Sequence, residues 1–453
     1  MNQLRELGID LLNDSQFERA LGVFAETVRR VPGDHRSRML AARCFAELGQ
    51  KERAVMVLQA CAEGLLHRDY LLSAIAACKQ AIELGGIERR LHDTLVRAHA
   101  RAVRAAPGKA AVPPPLPPET LYDGKVQEDL MGVQGEALSD RAIEVLGAPD
   151  AGAVADPAAR PPLPLFADLE QDAFVDLVIA MGYRVYAPGD AIAVQGQGGD
   201  SIFVIVAGKA EVGRQSEGRN RILGSLGGGS IFGEISLITG ASPTATVTAR
   251  GTTEVFEIRR EHLNALAKTH PSVPNALAEF AQQRMARNLI ATSPVLQQIP
   301  ETDRATVLRR FAFRALQTGE TALVEGQHSP GVFLVLAGEL VVQKEDPAGG
   351  VVSLGILREG DVAGEISLLT GLRATATVVA TRKTATAFLE RSAFDQLIAE
   401  FPQLKSYLET LSNRRLQQIG QALRPLEIID ADELVVEPQN EPPPASSGPE
   451  AGQ

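Results

Sequence analysis

Tryptophan is absent from the 453 residues, and cysteine occurs only three times, at Cys44, Cys61 and Cys78. Three thiols in so long a chain make no disulfide framework, and none of them forms the Cys-x-x-Cys pair of a zinc or redox site. They recur on successive helical stretches, where small buried residues at helix contacts account for them. The seven histidines are scattered, with no His-x-His or His-x-x-x-His. A metal centre therefore lacks ligands, and no metal or other resident cofactor is expected. There is neither a Gly-x-Ser-x-Gly elbow nor a P-loop, so no enzymatic chemistry is expected. Long apolar runs are missing too: none approaches the ~18 uncharged residues of a membrane span. Glu6 stands where a secretory signal would begin its apolar stretch, so no membrane partner and a cytoplasmic location are expected.

Basic excess is also lacking. The net charge is −11, and residues 425–453 carry seven acids and no base. No basic stripe is present, which argues against a nucleic acid partner.

What the chain does contain falls into an α+β organisation. Residues 1–106 are rich in Ala, Leu, Arg and Glu, with apolar positions three or four apart, and predict helical hairpins. Leu4, Leu7, Gly8, Leu11, Ala20, Phe24, Thr27 and Pro32 fall at the offsets of a 34-residue helix–turn–helix unit. The next unit supplies Arg38, Ala41, Ala42, Phe45, Ala54, Leu58 and Cys61. This spacing resembles a tetratricopeptide array, which implies a surface for a protein partner. An ordinary helical bundle is the alternative. Residues 107–162, with Pro113–Pro118 at their centre, read as a Pro/Ala-rich linker, largely disordered, in which Lys125–Leu146 has room for one or two short amphipathic helices. The acidic tail 425–453 reads as disordered.

From Leu163 the pattern changes to short alternating β runs that end at glycine, as in Ile202–Val206 before Gly208. The chain then repeats itself. A shift of 130 superposes Gly189, Gly196 and Gly208 on Gly319, Gly326 and Gly338. A shift of 131 superposes Gly233–Leu237 on Gly364–Leu368 and Thr244–Val247 on Thr375–Val378. Two copies of one domain are predicted, over 163–290 and 291–424. The glycines at the first shift read as turn residues needing positive φ.

The run Pro188-Gly189-Asp190…Gly208 is similar to the first half of a cyclic nucleotide-binding domain. Phe232-Gly233-Glu234-Ile235-Ser236-Leu237-Ile238-Thr239-Gly240 resembles the start of its phosphate-binding cassette. The resemblance spans 163–420 and implies two β jelly rolls, each with flanking helices and a short helix inside the cassette. It implies a ligand site at Gly233, Glu234, Ile235, Ser236, Thr244 and Ala245 in copy one. In copy two the site is Gly364, Glu365, Ile366, Ser367, Arg373 and Thr375. In the family the Glu accepts from the ribose hydroxyl and a later Arg clamps the cyclic phosphate. Here Pro243 and Ala374 occupy the Arg position. Arg373 lies one residue early, where an extended chain points it to the opposite face. Glu234 and Glu365 read equally as ribose readers or as caps for nearby amides. The paired arginines 29–30, 259–260, 309–310 and 414–415 read as solvated faces.

The expectation is a non-enzymatic signalling protein. Its degenerate cassettes would take a cyclic nucleotide poorly, or an uncharged nucleoside, and residues 1–106 would hold an unknown protein partner. The helices after the barrels could pair two copies of the chain. The alternative is a genuine cAMP or cGMP sensor resembling a kinase regulatory subunit. A transcription regulator of the catabolite activator type would need a helix-turn-helix after a barrel. A cupin-type enzyme would need a His-rich metal set. Neither has its residues.

Overall fold

The computed structural model describes residues 2–85, 89–104, 130–148, 164–216, 219–345 and 350–422. Pro113–Pro118 and the acidic tail 425–453 lie outside the described residues. The architecture is α+β, with helices first and two β-sheet domains after them.

Six helices open the chain: α1 (Asn2–Asn13), α2 (Phe17–Arg30), α3 (His35–Glu47), α4 (Lys51–His67), α5 (Leu71–Gly85) and α6 (Arg89–Arg104). Each packs on the next. Small residues permit the close crossings: a Cβ on Gly8 would collide with the buried Phe24 ring. Asp34 caps α3, its Oδ1 accepting from the Ser37 N–H at 3.0 Å. Cys44, Cys61 and Cys78 are free and buried, and burial pushes each thiol up to about 12. Part of 107–162, read from sequence as linker, is helical. A 3-10 turn at Leu130–Gly132 leads to α7 (Gly135–Leu146), which lies against α2 and α4 and buries Leu130, Leu138, Ala142 and Leu146.

The first barrel comprises α8 (Pro164–Ala167), α9 (Gln171–Ala180), β1 (Gly182–Tyr186), β2 (Ala191–Ala193), β3 (Ser201–Ala207), β4 (Lys209–Ser216), β5 (Arg219–Gly227) and β6 (Ile231–Phe232). It continues through α10 (Glu234–Thr239), β7 (Thr246–Ala249), β8 (Thr253–Arg259), α11 (Arg260–Thr269) and α12 (Ser272–Thr292). The second repeats the order as α13 (Glu301–Leu308), β9 (Ala312–Leu316), β10 (Thr321–Leu323), β11 (Gly331–Ala337), β12 (Leu340–Glu345), β13 (Val351–Leu357) and β14 (Val362–Ala363). After these come α14 (Glu365–Thr370), β15 (Thr377–Ala380), β16 (Thr384–Glu390), α15 (Arg391–Glu400) and α16 (Pro402–Ala422).

Each barrel is two antiparallel four-stranded sheets. The orders are β1-β8-β3-β6 and β2-β7-β4-β5 in one, and β9-β16-β11-β14 and β10-β15-β12-β13 in the other. Even the irregularities recur: the ladder shifts at Ile205/Ala207 in one copy and at Val335/Ala337 in the other. The turn glycines have positive φ, from 75° at Gly326 to 100° at Gly338.

Strand β3 is buried from Ile202 to Val206 without alternation because both of its faces are covered. Phe203 and Ile205 point into the barrel, whereas Ile202, Val204 and Val206 join a core shared with α5 and α9. Two hydrogen bonds reinforce that junction. Lys79 Nζ donates to the Ile179 carbonyl at 2.7 Å, and His99 Nε2 donates to the Leu169 carbonyl at 2.8 Å. The helical region is therefore welded to the first barrel.

Candidate functional site

Each cassette begins with a glycine in the left-handed region, Gly233 (φ 88°) and Gly364 (φ 93°). A side chain at either would run into a strand carbonyl, that of Ser201 or of Gly331. These glycines turn the chain tightly enough to place the next residue, Glu234 or Glu365, inside the barrel. Both glutamates are buried, at 2% and 1% exposure.

Each carboxylate accepts from the backbone amide of its own residue and is met by an arginine from the trailing helix. Arg284 on α12 donates through Nε to Glu234 Oε1 at 3.0 Å, and Arg415 on α16 donates through Nη1 to Glu365 Oε1 at 2.6 Å. Arg415 also donates to the Val362 carbonyl at 2.6 Å. Burial pushes both glutamates above the usual carboxylate range, and the two arginines offset part of that rise. Sequence reading places Arg414–Arg415 on a solvated face. The second of the pair instead turns inward, because the last turns of α16 lie across the barrel. Arg284 was not singled out at all. A signal for both existed: they are 131 residues apart, and each follows its cassette glutamate by 50.

A cavity lies beside each cassette. The one in copy one, of about 560 Å³, brings together all six expected residues, Gly233, Glu234, Ile235, Ser236, Thr244 and Ala245, with Arg284 at its wall. The cavity in copy two, of about 270 Å³, brings together Gly364, Glu365, Ile366, Ser367 and Thr375. Arg373 is not among its lining residues. Its side chain is turned to the surface, where Nη1 donates to the Gly326 carbonyl at 2.9 Å. Pro243 lines the first cavity and Ala374 the second, so an apolar surface stands at the clamp position of each.

A second pair of basic residues was also missed. Arg214 Nε donates to the Thr244 carbonyl at 3.1 Å, and Lys344, at the equivalent place on β12, donates to the Thr375 carbonyl at 3.0 Å. Arg214 then reaches across to Glu359 of copy two at 2.7 Å, whereas Lys344 pairs within its own copy with Glu325. These cations brace the cassette backbone from outside the cavity and are held by carboxylates.

Among the described residues, no group of three or more His, Cys, Asp or Glu is placed to hold a metal ion. No helix there is long and apolar enough to cross a membrane.

Each of the two barrels, with its internal cassette helix and its trailing helix, is similar to a cyclic nucleotide-binding domain. The family model of the cyclic nucleotide-binding domain matches residues 183–270 and 313–401. The chain is similar to a cAMP-dependent protein kinase regulatory subunit of Blastocladiella emersonii, 27% identical over 236 residues, covering 52% of this chain and 56% of the relative. It thus spans about half the length of that relative. Among solved structures, it is similar to the regulatory domain of Toxoplasma gondii PKA with cAMP. The identity is 22%, the coverage 54% of this chain and 92% of that one, and the TM-score 0.27. It is also similar to the regulatory subunit of a cAMP-independent protein kinase A from Trypanosoma brucei. There the identity is 19%, the coverage 57% and 91%, and the TM-score 0.29.

Proposed function

We propose that this chain is a non-enzymatic regulatory protein whose helical N-terminal region engages a protein partner. On this reading its two cassettes grip cyclic nucleotides weakly. The observation that carries the reading is the pairing of a buried glutamate with an apolar residue at the clamp position in each cavity, Glu234 with Pro243 and Glu365 with Ala374. A cyclic phosphate carries a full negative charge. Seated here, it meets a carboxylate, and among the described lining residues of each cavity the one guanidinium is already bound to that carboxylate. Loss of one charge-assisted clamp, at ~2.7 kcal/mol, lowers affinity about a hundredfold. A neutral ligand with a free diol escapes that penalty, because the glutamate accepts from its hydroxyls, so an uncharged nucleoside fits better than a cyclic nucleotide.

Calorimetry on the full chain tests this. The expected result is no saturable heat from cAMP or cGMP below roughly 100 μM, and a measurable rise in cAMP affinity in Pro243→Arg. Sub-micromolar cAMP binding to the unaltered chain overturns the reading in favour of a cyclic nucleotide sensor acting like a kinase regulatory subunit. That alternative draws support from the names of the relatives and from the guanidiniums at the cavity walls.

A further inference from the structure

The helical region carries a seat for a single amphipathic helix, and the chain fills it with its own α7. Leu138, Ala142 and Leu146 form the apolar stripe of α7, four residues apart and buried against α2 and α4. Approach is close at the entry: a Cβ on Gly22 would stand 3.1 Å from the Leu130 carbonyl. Two arginines fix direction. Arg53 on α4 binds the acids of the first turns, Glu136 at 2.5 Å and Asp140 at 2.6 Å. Arg38 on α3, 1% exposed, donates from Nη1 to the carbonyls of Leu146 at 2.8 Å and Ala148 at 2.7 Å. A guanidinium at the C-terminal carbonyls and an acid in the first turn are what a helix dipole favours, and Arg53 is held by pairing with the acids.

Among the described residues, the seat is longer than its occupant. Arg53, Met56, Ala60, Glu63 and His67 lie three and four apart along one face of α4. Beyond Gly147 that face borders an open cavity of about 530 Å³, whose wall includes Met56, Ala60, Glu63, His67 and Arg90. Met56 is 55% exposed there. A helix of 12 residues has marginal stability by itself in water, so α7 depends on the seat for its form.

We propose that α7 is a cis occupant of a helix-docking site. On this proposal a partner's amphipathic helix replaces α7. That helix has apolar residues at i, i+4 and i+8 and acids at i−2 and i+2, and the partner's chain after its last turn follows the face of α4 left open by the described residues. Such a partner must end its helix at Arg38, because Nη1 of this buried guanidinium would otherwise lose both of the carbonyls it donates to in α7 and after it. The inference deepens the proposed partner-binding role of residues 1–106. Its failure leaves that role standing on another face, and it is indifferent to what the barrels bind.

The test uses the full chain and a fluorescent peptide of residues 130–148. Leu138→Asp/Ala142→Asp vacates the seat, and the peptide is expected to bind that variant at least tenfold more tightly than the unaltered chain, where tethered α7 competes at high effective concentration. Adding Arg53→Glu to the variant should weaken binding at least fivefold, and Glu136→Arg/Asp140→Arg in the peptide should restore it. In the unaltered chain, excess unlabelled peptide should speed hydrogen exchange of the α7 amides. Equal affinities for both chains, or binding indifferent to Arg53, overturn the proposal. So does loss of the helical region's folded signal in the double variant, since α7 would then be a fixed part of that fold.

Discussion

The two barrels follow one sequence programme and finish differently. They share strand order, ladder shifts, cassette glycines and a buried Glu–Arg pair. They part at the trailing helix. In copy one, Met285 and Leu289 of α12 enter the core of the second barrel, so the helix after Arg284 is committed to its neighbour. In copy two, α16 lies over its own barrel, and Gln418 and Ile419 join Arg415 at the cavity wall. The cavities accordingly differ about twofold in volume, 560 against 270 Å³. The lesson is that a repeat fixes the chamber, while what the last helix packs against fixes its closure.

Three measurements sharpen or break that comparison. The largest effect is expected from removing the trailing-helix arginines, which strands a buried carboxylate. Arg415→Ala should lower stability by about 3 kcal/mol, and Arg284→Ala, removing a pair whose arginine is more exposed, by about 2 kcal/mol. Urea denaturation followed by circular dichroism reads both. Losses below 1 kcal/mol in each would show the pairs to be incidental.

The pH dependence comes next. Burial raises Glu234 and Glu365 in the folded state, so folding favours their protonated forms. The stability they confer is full below the ordinary carboxylate range and fades as pH rises through their elevated values. Glu365→Gln should therefore flatten the decline in stability between mildly acidic and neutral pH. A steeper decline in Glu365→Gln than in the parent chain would contradict the sign of the shift. The smallest effect belongs to Arg373→Ala. It touches only a surface carbonyl, so the change should stay within about 0.5 kcal/mol and leave ligand binding unaltered.

Much of the barrel was legible beforehand because its glycines have local causes. Positive φ at Gly189, Gly208, Gly233 and their partners leaves little choice of residue, and the 130- and 131-residue shifts carry that mark into the sequence. The carboxylate partners were not legible, since Arg284 and Arg415 sit 50 residues from the glutamates they meet and read locally as ordinary helix-surface residues. The register of the repeat held the clue, one step beyond the motif. The seating of α7 is a sharper case. Its acids and apolar stripe suggest a helix, but only Arg38 and Arg53, some hundred residues away, tell where it rests.

The weld between α5 and β3 has a practical corollary for anyone cutting the gene. Severing the chain between the helices and the first barrel would part α5 from β1 and β3 and open the core that they share. Both pieces would carry a sticky scar. A bait made of the amino-terminal third alone would fish with that scar as much as with its native surface, and the whole polypeptide is the cleaner lure.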